Sequence, residues 1–77
     1  MIIKLKLKGG GLDREMVVDD STPEFSFEVG IASVVANCGR EHGIGGTFSF
    51  RRSHFRITRF TETPDQVEVD AELVEPA

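Results

Sequence analysis

"GIGGTFSFRRSHFRITRF", residues 43–60, holds four of the chain's six phenylalanines and four of its six arginines, so it reads either as a nucleic-acid platform or as a folded hairpin. A platform needs aromatics and cations on one exposed surface, where bases stack while phosphates are neutralised. Successive side chains of a strand alternate between faces. Phe48 and Phe50 therefore share one side of "TFSF", and Phe55 and Ile57 share one side of "FRITRF", with Arg56 and Thr58 opposite. With "RRSH" at 51–54 as the hairpin turn, all four apolar residues land on one face. The stretch segregates its aromatics from its arginines, and the aromatics read as core.

Working outward, that core needs a cover and further strands. "STPE" at 21–24 supplies a helix start, with Ser21 as cap, Glu24 completing a capping box and Pro23 in the first turn. Phe27, Ile31, Val34, Val35 and Cys38 follow at helical spacing as one apolar stripe, and Gly43 provides a left-handed exit, which predicts a helix over 24–42. Gly30 and Gly39 each weaken it by about 1 kcal/mol unless the sheet approaches closely there. Upstream, "IIKLKLK" at 2–8 places Ile3, Leu5 and Leu7 on one face and Lys4, Lys6 and Lys8 on the other. The glycine turn "GGG" at 9–11 then leads into "LDREMVV" at 12–18, with Leu12, Met16 and Val18 on the core side.

Charge divides the chain. Residues 1–60 carry nine basic against seven acidic residues, and residues 61–77 carry six acidic and no basic ones, for a net charge of -4. "VEVDAELV" at 67–74 alternates apolar and acidic residues, so the acidic segment reads as a fifth strand. The whole is a single α+β domain over 1–77, with a ββαββ core at 1–60 and an acidic C-terminal strand extension at 61–77.

At 77 residues such a core is only marginally sufficient, and any added strand or partner matters to stability. No apolar run approaches the roughly 20 residues of a spanning helix, and no signal-peptide pattern opens the chain. The expectation is a cytoplasmic protein with no membrane partner. A lone Cys38 excludes an intrachain disulfide.

"KLKLKGG" at 4–10, Leu12, the helix exit at Gly43 with Ile44 and Gly46, and the Phe48, Phe50, Phe55, Ile57 quartet resemble the immunoglobulin-binding domains of protein G. That resemblance implies a β-grasp, a sheet with one helix packed across it, in which the first and fourth strands are neighbours. It does not carry over the family's contacts with Fc. The equivalent positions are Ala32, Ser33, Ala36, Asn37, Arg40 and Phe48, which lack the acidic, lysine and tryptophan groups that make them. Ubiquitin-like chains share the topology, but this chain ends in "VEPA" rather than a conjugating Gly-Gly.

Several residue sets hold candidate chemistry. Cys38 and His42 lie four apart on one helix face, the spacing of a Cys-His nucleophile or two metal ligands. Only His54 remains to fill a tetrahedral set, so the expectation is no metal, no cofactor and no enzyme. "GIGG" at 43–46 matches the glycine loop of KH-type RNA binders, but it leaves a helix for a strand, whereas phosphate loops enter a helix. "RRSHFR" at 51–56 is similar to the arginine motif of PilZ domains without its second half.

Arg51, Arg52, His54 and Arg56, joined by Lys4 and Lys6 if the first and fourth strands pair, form the best candidate binding surface, with Arg59 close by. It suits phosphate or an acidic partner. Its simpler reading is a solvated face neutralised by Glu15 or by the acidic strand. The fifth strand must cross to a sheet edge, displace a neighbour or pair with another chain. The function this supports is a non-catalytic protein–protein interaction module, with a strand-exchanged homodimer as one form. The alternatives are a nucleic-acid or nucleotide phosphate binder using the arginine face, which the chain's acidity disfavours, and a small subunit of an enzyme.

Overall fold

Period-two alternation builds a five-stranded mixed sheet with one helix packed on it. The computed structural model describes residues 1–9, 11, 13–19 and 27–74. Its elements are β1 (Ile2–Lys8), β2 (Arg14–Asp19), α1 (Phe27–His42), β3 (Thr47–Phe50), β4 (Ser53–Glu62) and β5 (Gln66–Leu73). Ile3, Leu5 and Leu7 of β1, Met16 and Val18 of β2, Phe48 and Phe50 of β3, Phe55 and Ile57 of β4, and Val67, Val69 and Ala71 of β5 form one buried face. Each large side chain among them contributes about 1.5–3 kcal/mol by leaving water. Leu12 and the helix start at Ser21, Pro23 and Glu24 lie outside the described residues.

The sheet order is β2-β1-β5-β4-β3. β5 runs parallel to β1 and antiparallel to β4, so the expected contact between the first and fourth strands is replaced by the acidic strand lying between them. Local chain geometry explains the displacement. Thr63 and Gln66 close a tight turn, in which the Thr63 amide donates to the Gln66 carbonyl at 2.8 Å and the Gln66 amide bonds the Thr63 hydroxyl at 3.2 Å. β5 thereby folds straight back on β4, at a lower closure cost than a distant pairing. The Ile2 amide donates to the Asp65 carbonyl at 3.1 Å and sets β1 alongside. β5, within the acidic segment, is thus the central strand of the sheet, bonded on both edges within its own chain.

The helix meets the sheet through small residues. Ala32, Val35, Ala36 and Gly39 are buried, whereas Val34, placed on the apolar stripe by spacing, is 58% exposed. The contact face is rotated toward the small side chains because β4 sends a large one up to meet them. A bulge between Ile57 and Arg59 inserts Thr58, whose hydroxyl donates to the Asp70 carbonyl at 3.2 Å. The bulge reverses the parity beyond it, so Phe60 turns to the helix side and packs against Gly39. At Gly39 the condition under which a mid-helix glycine is useful is met, since this ring from the sheet approaches it closely. At the helix end Gly43 takes φ +67° and its amide returns to the Gly39 carbonyl at 2.8 Å.

The β3–β4 turn is shorter than "RRSH". Phe50 pairs with Ser53, so Arg51 and Arg52 alone make the turn, with φ of 50° and 67°. The four apolar residues still share the core face, as their parity requires.

Candidate interaction surface

The solvent face of the sheet is ordered by charge, strand by strand. β1 presents Lys4, Lys6 and Lys8, and β5 presents Glu68, Asp70 and Glu72 directly beside them, in register. On the other side of β5, Arg56 faces Glu72 and Arg59 faces Asp70. β2 adds Glu15 opposite Lys6. Reading across the sheet, the stripes run acidic, basic, acidic, basic, and end on the neutral Thr47 and Ser49 of β3.

This order reassigns the expected arginine face. Lys4 and Lys6 do not join Arg56, because β5 separates β1 from β4 and places a carboxylate next to each cation. A shallow depression of about 140 Å³ on this face is lined by Lys4, Lys6 and Arg59 against Glu15, Glu68 and Asp70. With three cations against three carboxylates the depression carries no net charge to draw a phosphate from a distance. Glu68 is further held by a hydrogen bond from the Gln66 amide group.

Arg51, Arg52 and His54 form a separate group at the hairpin tip. The Arg51 guanidinium carbon lies 5.4 Å from the centroid of Phe50, and Arg14 of β2 approaches the same ring at 5.8 Å. His54 Nδ1 pairs with the Ser49 hydroxyl at 3.1 Å, and its carbonyl accepts the Val74 amide at 2.8 Å. Of the six candidate binding residues, Arg51, Arg52 and His54 lie at or beside the β3–β4 turn, with Arg51 over Phe50 and His54 on Ser49, and Lys4, Lys6 and Arg56 lie within the balanced stripes.

The other motifs are absorbed by the fold. The Cys38 thiol donates to the Thr47 carbonyl at 3.5 Å, and its pKa is raised, first by burial and then by the negative charge of Glu41. Both effects favour the neutral thiol, the opposite of what a nucleophile needs. His42 sits 3.7 Å from Glu41 on the helix surface. Among the described residues no three His, Cys, Asp or Glu side chains are placed to hold a metal ion. In "GIGG" the Gly45 amide donates to the Ile57 carbonyl and the Gly46 amide to the Gly43 carbonyl, while the Ile57 amide donates to Gly46. The loop stitches the helix exit to β4, and those amides are not presented to a ligand. Of the positions equivalent to Fc contacts, Ala32, Ala36 and Phe48 are buried. Arg40 is engaged by Glu62 at 2.7 Å and by Asn37 at 3.1 Å.

The feature not anticipated is the outer edge of β2. Val17 is 58% exposed on the solvent face between Glu15 and Asp19. Among the described residues, no backbone hydrogen bond beyond the β1 ladder reaches Glu15, Met16, Val17 or Val18. The opposite edge strand is shorter. β3 has only four residues, and Cys38 occupies the Thr47 carbonyl. The sequence signal was an apolar residue at the wrong parity, Val17 between Met16 and Val18, but it gains meaning only once β2 is known to be an edge.

No helix among the described residues is long and apolar enough to cross a membrane. No protein-family model matches the chain, and neither a curated protein nor a solved structure matches it.

Proposed function

We propose that this protein is a non-catalytic interaction module of β-grasp-like architecture that binds another protein by adding a strand to the edge of β2. The architectural reading rests on the first and last strands lying parallel at the centre of the sheet, with a hairpin partner on each side and one helix across one face. The binding reading rests on one observation, the open backbone edge at Glu15–Val18 beside an exposed Val17. An exposed edge strand is a template for main-chain hydrogen bonding, and alternate side-chain contacts give it specificity. The balanced charge stripes favour this reading over a phosphate-binding face, since every sheet-face cation in register with β5 faces a carboxylate.

The test is selection of a random peptide library on the immobilised protein, followed by amide hydrogen exchange on the selected complexes. Strand addition at β2 predicts new protection at residues 15–18. Protection confined to the hairpin tip or the helix, or failure to select any peptide, would overturn the reading.

A further inference from the structure

We infer that the strand β2 accepts is a basic one, an extended segment of a different protein carrying the pattern basic-x-apolar-x-basic; this inference rests on the proposed binding edge. Its ground is the charge order of the sheet. Wherever two charged strands meet, they meet with opposite sign: β2 acidic on β1 basic, β1 on β5 acidic, and β5 on β4 basic. At the far side the order ends on the neutral face of β3, which closes it. At β2 it stops on an acidic strand, and among the described residues no strand lies beyond it at Glu15–Val18.

The neighbour that continues this order is basic. Side chains directly opposite on one sheet face lie about 4.5–5.5 Å apart at Cβ, near enough for charge to select a partner. Opposite Glu15 a lysine or arginine is favoured, and opposite Val17, two residues on, an apolar side chain. Opposite Asp19 a second basic residue is favoured, although Asp19 also holds the Met1 amino group at 3.7 Å. Glu15, exposed and two residues from Val17, carries most of the discrimination.

A second copy of this chain does not offer such a strand. Its β1 is paired on both edges, and its β4 is paired by β5 and, over residues 53–56, by β3. Residues 58–62 beyond carry a single cation, Arg59, and so lack the basic-x-apolar-x-basic pattern. Two β2 strands pairing antiparallel about Val17 would set Glu15 against Asp19, and pairing about Met16 would set Glu15 against Val17 and Arg14 against Val18. Neither register answers the acidic stripe.

The experiment uses the full ¹⁵N-labelled chain and three synthetic heptapeptides: Thr-Lys-Thr-Val-Thr-Lys-Thr, the same peptide with Glu for both Lys, and the same with Ser. Amide shifts and hydrogen-exchange protection at residues 15–18 report on edge pairing. The inference predicts that the lysine peptide perturbs β2 with about tenfold higher affinity than the glutamate peptide at low salt, and that added salt narrows the gap. It also predicts that Glu15→Lys reverses the preference. If all three peptides perturb β2 equally, or the glutamate peptide binds best, the charge inference is overturned while the edge reading stands. If none perturbs residues 15–18, both fall.

Discussion

The guanidinium of Arg14 lies 5.8 Å from the ring centroid of Phe50, joining the two strands that stand at opposite edges of the sheet. In a flat sheet those edges are about 19 Å apart and side chains stand roughly upright, so the contact requires the sheet to curl. Arg51 shares the ring at 5.4 Å. The aromatic side chain is therefore a clasp as well as core. A double-mutant cycle of Arg14→Gln and Phe50→Leu in denaturant unfolding is expected to give a coupling energy of about 0.5–1 kcal/mol. Additive single effects would mean that the two residues stabilise the fold independently.

Gly39 is the second tight point. A Cβ there would collide with the ring of Phe60, and the residue is in mid-helix, where glycine costs about 1 kcal/mol relative to alanine. Gly39→Ala should nevertheless destabilise by about 1–3 kcal/mol, because overpacking exceeds the gain in helix propensity. Adding Phe60→Leu should recover part of the loss. A Gly39→Ala protein more stable than the parent would show that the helix can lift off the sheet at little cost.

Much of this architecture is legible in the sequence, and the places where it is not share a cause. Parity alone assigns Ile3, Leu5, Leu7, Met16, Phe48, Phe55 and Ile57 to the core, and Gly43 marks the helix end. Parity fails after Thr58, since a bulge is a local insertion that no alternation announces and it turns Phe60 inward. Strand order is less accessible still. "VEVDAELV" reads as a strand, but its place between β1 and β4 depends on a turn at Thr63–Gln66 outcompeting a distant pairing. The candidate site inherits that limit. Lys4, Lys6 and Arg56 read as one patch when β1 and β4 are neighbours and as two neutralised stripes when β5 divides them.

The Arg51–Arg52 turn holds both residues at positive φ, as a type I′ hairpin requires and as Asn-Gly does with little strain. Arg51→Asn with Arg52→Gly is expected to stabilise the protein by about 1–2 kcal/mol, less whatever the Arg51–Phe50 stacking contributes. For a domain of this size, about 1–2 kcal/mol is a rise of roughly 4–16 °C in Tm. A lower Tm would show that the arginine stacking outweighs the backbone strain.

Cys38 gives a pH dependence whose sign follows from its raised pKa. Burial first, and Glu41 second, oppose the thiolate in the folded state, while an unfolded thiol titrates at about 8.5. The stability this contributes is fully present below that value and is lost as pH climbs through the higher folded pKa. The unfolding free energy of the parent minus that of Cys38→Ala should therefore be larger at about pH 7 than at about pH 10, and alkylation of Cys38 should be slower than that of free cysteine. Glu41→Gln should speed alkylation modestly. A Cys38 that reacts faster than free cysteine would contradict the assignment.

The central acidic strand is what keeps the sheet face from acting as a cation patch. Glu68, Asp70 and Glu72 each face a lysine of β1, and the latter two also face an arginine of β4. Replacing all three by Gln, Asn and Gln leaves Lys4, Lys6, Lys8, Arg56 and Arg59 without opposing charge from β5. Loss of the cross-strand pairs should cost roughly 1–3 kcal/mol at low salt. The same variant should gain retention on a heparin column that falls steeply with added salt, as counterion release demands, while the parent passes through. Equal retention of the two proteins would mean that the cations act independently of the strand between them, and a phosphate-binding face would then have to be reconsidered.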